Sequence, residues 1–106
     1  MKTLCRSIAL LCLFVSLSYA SDDLISHKVI SSSYVGCFIE EDLDSFVKYA
    51  ISKDYGAMQE MMTSVRCFYL KKDAIAYIED FRVTGKVKLR LRGKTSTFWT
   101  VRGAIN

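Results

Sequence analysis

The sequence predicts an α+β protein in which two short helices are packed on a small antiparallel β-barrel or sheet. Three observations predict it. Val87, Leu89 and Leu91 alternate with Lys88, Arg90 and Arg92, the period of a strand with one buried and one wet face. Gly93-Lys94 breaks that run, and a second β-prone run, Thr95 to Val101, completes a hairpin carrying the only tryptophan, Trp99. Upstream the period changes: Leu43, Phe46, Val47, Ala50 and Ile51 make one apolar face of a helix.

The chain opens with Lys2 and Arg6, then an apolar run from Ile8 to Leu17, then Ser18-Tyr19-Ala20. A positive start, a short apolar centre and a small-x-small site predict a cleaved signal peptide over residues 1–20. A membrane anchor needs about 20 apolar residues, and this run is shorter. The expected product is therefore exported, periplasmic or secreted, with no transmembrane segment after cleavage.

Two of the four cysteines, Cys5 and Cys12, leave with the signal. Cys37 and Cys67 remain, an even pair for an oxidising compartment. A Cys37–Cys67 bridge closes a loop of about 30 residues, worth roughly 3–4 kcal/mol on the chain-entropy account. That matters in a single small domain whose core is marginal. A redox pair is the weaker alternative, because there is no Cys-x-x-Cys.

Residues 21–36 read as a polar lead-in around Ser31-Ser32-Ser33, with His27 to Ile30 a weak strand. The domain proper is expected over 37–106, with helices over about 40–64 and the β part over about 65–106. Glu40, Glu41, Asp42 and Asp44 load the first helix's N-terminus, where the helix dipole favours them, so no metal role is needed. Asp54 caps a second helix from Tyr55 to about Ser64, with Ala57 or Met58, then Met61, Met62 and Val65 on its apolar side. The methionines read as core before they read as an adaptable binding surface.

From Val65 the expected strands are Cys67 to Leu70 and Ala74 to Phe81, followed by the hairpin. In the second, Ile75, Tyr77 and Phe81 share one face, and Ala74, Ala76 and Ile78 the other. Arg102 to Ile105 is expected to be a single turn that tucks Ile105 under the sheet. Closure into a barrel would remove exposed edges.

Charge is split. Residues 21–64 carry three bases against eight acids, whereas residues 65–106 carry ten bases against three. Internal compensation of one half by the other is the plainer reading, and steering of a partner the sharper one.

The order of elements, with Arg66-Cys67 entering a strand, then Gly85 to Leu91, Phe98-Trp99-Thr100 and an Ala104-Ile105 ending, resembles small exported bacterial proteins with a C-terminal SH3-like barrel. The likeness covers roughly residues 65–105, and its motifs are short. It implies a fold more than an activity, and a binding or accessory role. It also implies ligand contacts at aromatics on one side of the barrel, which by position are Tyr69, Tyr77, Phe98 and Trp99. Peptidoglycan-binding members usually belong to larger enzymes, and no catalytic partner domain is present in this sequence.

An enzyme needs a nucleophile, base or metal set, and beyond the signal the sequence offers one histidine and a cysteine pair expected to be oxidised. No enzyme activity, metal or cofactor is expected. Lys86, Lys88, Arg90, Arg92 and Lys94 with Phe98 and Trp99 would suit nucleic acid, but export argues against it. Trp99 reads first as core and second as contact. The expected function is a non-enzymatic binding or accessory module of the bacterial cell envelope, recognising a protein or cell-wall polymer. Two alternatives stand beside it: an inhibitor or immunity-type protein that blocks a cell-wall-active enzyme, and a structural envelope protein with no dedicated ligand.

Overall fold

A computed structural model describes residues 25–106. The signal peptide expected over residues 1–20 lies outside the described residues. Among the described residues the architecture is α+β, with two α-helices and a six-stranded antiparallel sheet. Its elements are β1 (Ser26–Lys28), β2 (Val35–Cys37), α1 (Glu40–Ile51), α2 (Tyr55–Thr63), β3 (Cys67–Tyr69), β4 (Ile75–Phe81), β5 (Lys86–Leu91) and β6 (Thr97–Val101), closed by a 3₁₀ turn at Arg102–Ala104.

The strand order is β1-β4-β5-β6-β2-β3. The stretch read from sequence as a lead-in thus supplies two strands, and the last strand, β6, lies inside the sheet rather than at its edge. The weak strand expected from His27 exists as β1, antiparallel to β4. Val29 beside it is fully buried and bridges to Ile105. The backbone of Val29 both donates to the Ala74 carbonyl and accepts from the Asp73 N–H.

The sheet is strongly curled. Tyr34, at the start of β2, accepts from the Leu70 N–H, and Val29, at the end of β1, accepts from the Asp73 N–H. Leu70 to Asp73 can span at most about 11 Å of extended chain. Strands four places apart in a flat sheet lie about 19 Å from each other. The β3–β4 link can reach both only if the two ends bend toward one another.

Curling gives the sheet two apolar sides. The concave side holds Val29, Leu70, Ala76, Val87, Leu89, Phe98, Ala104 and Ile105. The alternation in β5 is therefore realised, with Val87 2% and Leu89 0% exposed. Ile105 is tucked in as expected. Gly36 is required on this side, because a Cβ there would lie 2.7 Å from Phe98 Cδ2 and 3.0 Å from Leu70 Cδ2.

The other side is covered by the helices. Leu43, Phe46 and Met61 pack on Cys37, Cys67 and Trp99, with Met58 and Met62 partly buried beside them. The methionines are core packing here. Cys37 and Cys67 are directly opposed across β2 and β3 and are disulfide-bonded. Thr100, the one buried polar residue among the described residues, donates its hydroxyl to the Val35 carbonyl at 2.8 Å.

Three local features depart from the expected pattern. Ile78 faces Leu89 but Asp80 faces Lys88, so Glu79 forms a bulge. The bulge shifts the parity, and Phe81 falls opposite Val87, on the Ala76 and Ile78 side rather than with Tyr77. Second, the α1 stripe is only half covered: Leu43 and Phe46 are buried, while Val47 and Ile51 are exposed. Third, the chain end of each helix turns through a left-handed residue that is not glycine. Lys53 (φ 59°) follows α1 and Val65 (φ 60°) follows α2. In each case two backbone bonds complete the turn, Asp54 to Tyr49 and Lys53 to Ala50, then Arg66 to Met61 and Val65 to Met62. Asp54 caps α2 as expected, accepting from the Ala57 N–H at 3.2 Å.

Candidate basic binding surface

Lys86, Lys88, Arg90 and Arg92 project from the same side of β5, the side that carries Trp99 on β6. They fall into two groups with different partners. At the α1 end, Lys86 Nζ lies 2.8 Å from Glu40 Oε2 and 2.9 Å from Asp44 Oδ1. Arg82 pairs with Glu40 and Asp80 at 3.3 and 2.9 Å, and its guanidinium lies 4.7 Å from the Trp99 ring centre. The hydrogen bond from Lys86 holds the Glu40 carboxyl below its ordinary range, with Arg82 adding to it. The same contacts raise Lys86, through Glu40 first and Asp44 second. Asp80 is lowered chiefly by the Phe81 N–H and then by Arg82. The acidic helix thus pairs with Lys86 of the basic strand and with Arg82 before it, and not with Lys88, Arg90 or Arg92.

At the opposite end of β5 the partners are aromatic. Tyr77 faces Arg90 across β4 and β5, with the guanidinium 5.0 Å from its ring centre. Arg92 is 5.9 Å from the same ring and donates Nε–H to the Tyr77 hydroxyl at 3.0 Å. Arg90 is further fixed by Glu79 Oε1 at 2.8 Å and the Lys94 carbonyl at 3.2 Å. One tyrosine therefore orients two guanidinium groups.

Beside this cluster the β3–β4 turn and the end of β5 enclose an open groove of about 570 Å3. Ala74, Ile75 and Leu91 line it together with Lys71, Lys72, Arg92 and Lys94, and Asp73 is its single acid. Among the described residues, none of these four cations pairs with a carboxylate.

Of the residues singled out in the sequence, Lys88, Arg90, Arg92 and Tyr77 come together on this surface. Tyr69 is exposed but lies on β3, an edge strand at the other end of the strand order from β1 and β4. Phe98 and Trp99 are corrected: they are 3% and 7% exposed, in the two opposite cores, and present no ring to a ligand. Sequence reasoning missed Lys71 and Lys72, and it weighed Lys94 only among the cations that would suit nucleic acid. The adjacent pair Lys71-Lys72 was the available signal, but it is the β4–β5 register, with Ala76 opposite Leu91, that places it beside the end of β5.

Among the described residues no group of three His, Cys, Asp or Glu is arranged to hold a metal, and no helix is long and apolar enough to cross a membrane. His27 accounts for itself locally, with Nδ1 2.8 Å from the Asn106 main-chain oxygen. Comparison with protein families, curated proteins and solved structures finds no match in any of the three.

Proposed function

We propose that this chain is an exported, non-enzymatic binding module of a bacterial cell envelope, with an SH3-like, partly closed sheet as its frame. The recognition surface in this reading is the basic end of β4 and β5, where Tyr77 arrays Arg90 and Arg92 beside Lys88. The supporting observation is the asymmetry of ion pairing. Lys86 and Arg82 are matched to the acids of α1, while Lys88 and Arg92 have no carboxylate partner among the described residues. Lys88 and Arg92, without carboxylate partners among the described residues, raise the local potential toward an anionic partner.

The test compares envelope extract captured by the oxidised protein with that captured by Lys88→Glu and Arg90→Gln variants. A partner retained by the native protein and lost by both variants, at nearly unchanged melting temperature, supports the reading. Retention unaffected by the two variants, or no partner with the native protein, overturns it.

A further inference from the structure

Resting on that reading, we infer that the groove between the β3–β4 turn and the end of β5 is a phosphate-binding site for a ligand bearing two or more phosphate groups. Lys71 and Lys72 come from one turn, and Arg92 and Lys94 from the end of another strand, yet all four line one concavity. Among the described residues none of the four pairs with a carboxylate, whereas Lys86, Arg82 and Arg90 each have one within 3.3 Å. Asp73, the one acid there, leaves the groove strongly positive.

Three features favour phosphate over carboxylate. First, donors approach from separate elements, which suits a tetrahedral group with several acceptor oxygens better than a planar carboxylate, whose best match is a single Arg fork. Second, Arg92 already spends Nε–H on the Tyr77 hydroxyl, which fixes the guanidinium and leaves its terminal N–H groups to donate. Third, Ala74, Ile75 and Leu91 line the groove with apolar surface, which strengthens the field of the cations above it. One phosphomonoester carries about −1.5 to −2 charge near neutrality, so four cations call for more than one such group. A phosphate polymer and a row of lipid headgroups share this chemistry.

The experiment titrates the oxidised protein at low ionic strength with inorganic tripolyphosphate, with pentaglutamate, and with vesicles of phosphatidylglycerol in phosphatidylcholine. The expected result is tripolyphosphate binding that Lys71→Gln/Lys72→Gln and Lys94→Gln each weaken by about tenfold or more, with a salt dependence that falls by about one per cation removed. The control Lys48→Gln/Lys53→Gln, on and just after α1, should change it by less than about twofold. Pentaglutamate should bind at least about tenfold more weakly.

Vesicle binding that needs the same lysines assigns the phosphates to a lipid surface. Tripolyphosphate binding without vesicle binding assigns them to a soluble or wall polymer. Equal loss in the control variant, equal affinity for pentaglutamate, or no binding to any phosphate probe overturns the site. Because Lys88 and Arg90 carry the capture experiment and Lys71, Lys72 and Lys94 carry this one, either can fail without the other.

Discussion

Lys86 on β5 and Glu40 at the start of α1 form an ion pair at 2.8 Å that fastens the helical layer to the sheet. Asp44 and Arg82 complete the group around them. Glu40 is lowered below 4.5, so its contribution is fully present above that pH and is lost as pH falls through its folded value. Lys86 is raised above 10.5, so its contribution is present below that pH and is lost as pH rises through its folded value. The urea midpoint of the native protein should exceed that of Glu40→Gln across the neutral range, and the gap should close in acid. Lys86→Gln should close its gap in alkali. A gap that stays constant through the acid limb would exclude this linkage.

Val65 occupies a left-handed turn that a β-branched residue adopts only under strain of about 1–2 kcal/mol. Its side chain is exposed, so removing it forfeits little packing. Val65→Gly should therefore stabilise the protein by about 1 kcal/mol despite the added freedom of the unfolded chain. Urea unfolding decides it, and a destabilised variant would show that the side chain contributes packing that its exposure hides.

The disulfide joins two buried residues thirty positions apart. Cys37→Ala/Cys67→Ala should lose about 3–4 kcal/mol by the loop-closure argument. Because both sulfurs are buried between the sheet and the helices, reductant should act slowly on the native protein and quickly in urea. Equal rates in the two conditions would contradict that placement.

Trp99 fluorescence should resist iodide in the folded state and become freely quenched on unfolding, since only 7% of the residue is exposed. Trp99→Ala should cost about 3–5 kcal/mol, the usual penalty for emptying an aromatic core site. Free quenching of the native protein would return Trp99 to the candidate surface.

Gly36→Ala should destabilise by about 1–3 kcal/mol, because the new methyl would meet the buried Phe98 ring at 2.7 Å. A neutral result in urea would mean that Phe98 can turn away, which its edge-on contact with Phe68 opposes.

The sequence disclosed those parts of the fold that leave a local period. Val87 to Leu91 shows its buried face by alternation, and Leu43 and Phe46 show theirs by helical spacing. Asp54 marks a helix start, and Cys37 and Cys67 are the only cysteines in residues 21–106. Three-residue strands leave no such trace. Ser26–Lys28 and Val35–Cys37 are too short for a period, and Gly36 looks like a strand breaker until Phe98 and Leu70 are seen to fill its space. The Glu79 bulge reverses a face without altering composition. The basic strand was legible as charge. Which cations the α1 acids neutralise depends on where α1 lands, and that is a tertiary fact.

The position of β6 has a further consequence, in the order of assembly. It is the last strand to be made, yet β5 and β2 pair with it on either side. Until residues 97–101 are available, β2 and β3 can meet only each other, and β1 awaits β4. A chain emerging from its N-terminus can therefore hold a stapled β2–β3 pair and a nascent β4–β5 hairpin, but the two remain separate pieces. β6 joins them, and its pairing with β2 closes a loop of about 60 residues, the kind of long-range contact that carries a loop-closure cost. Until then the helical layer also lacks Trp99, the largest side chain it packs on.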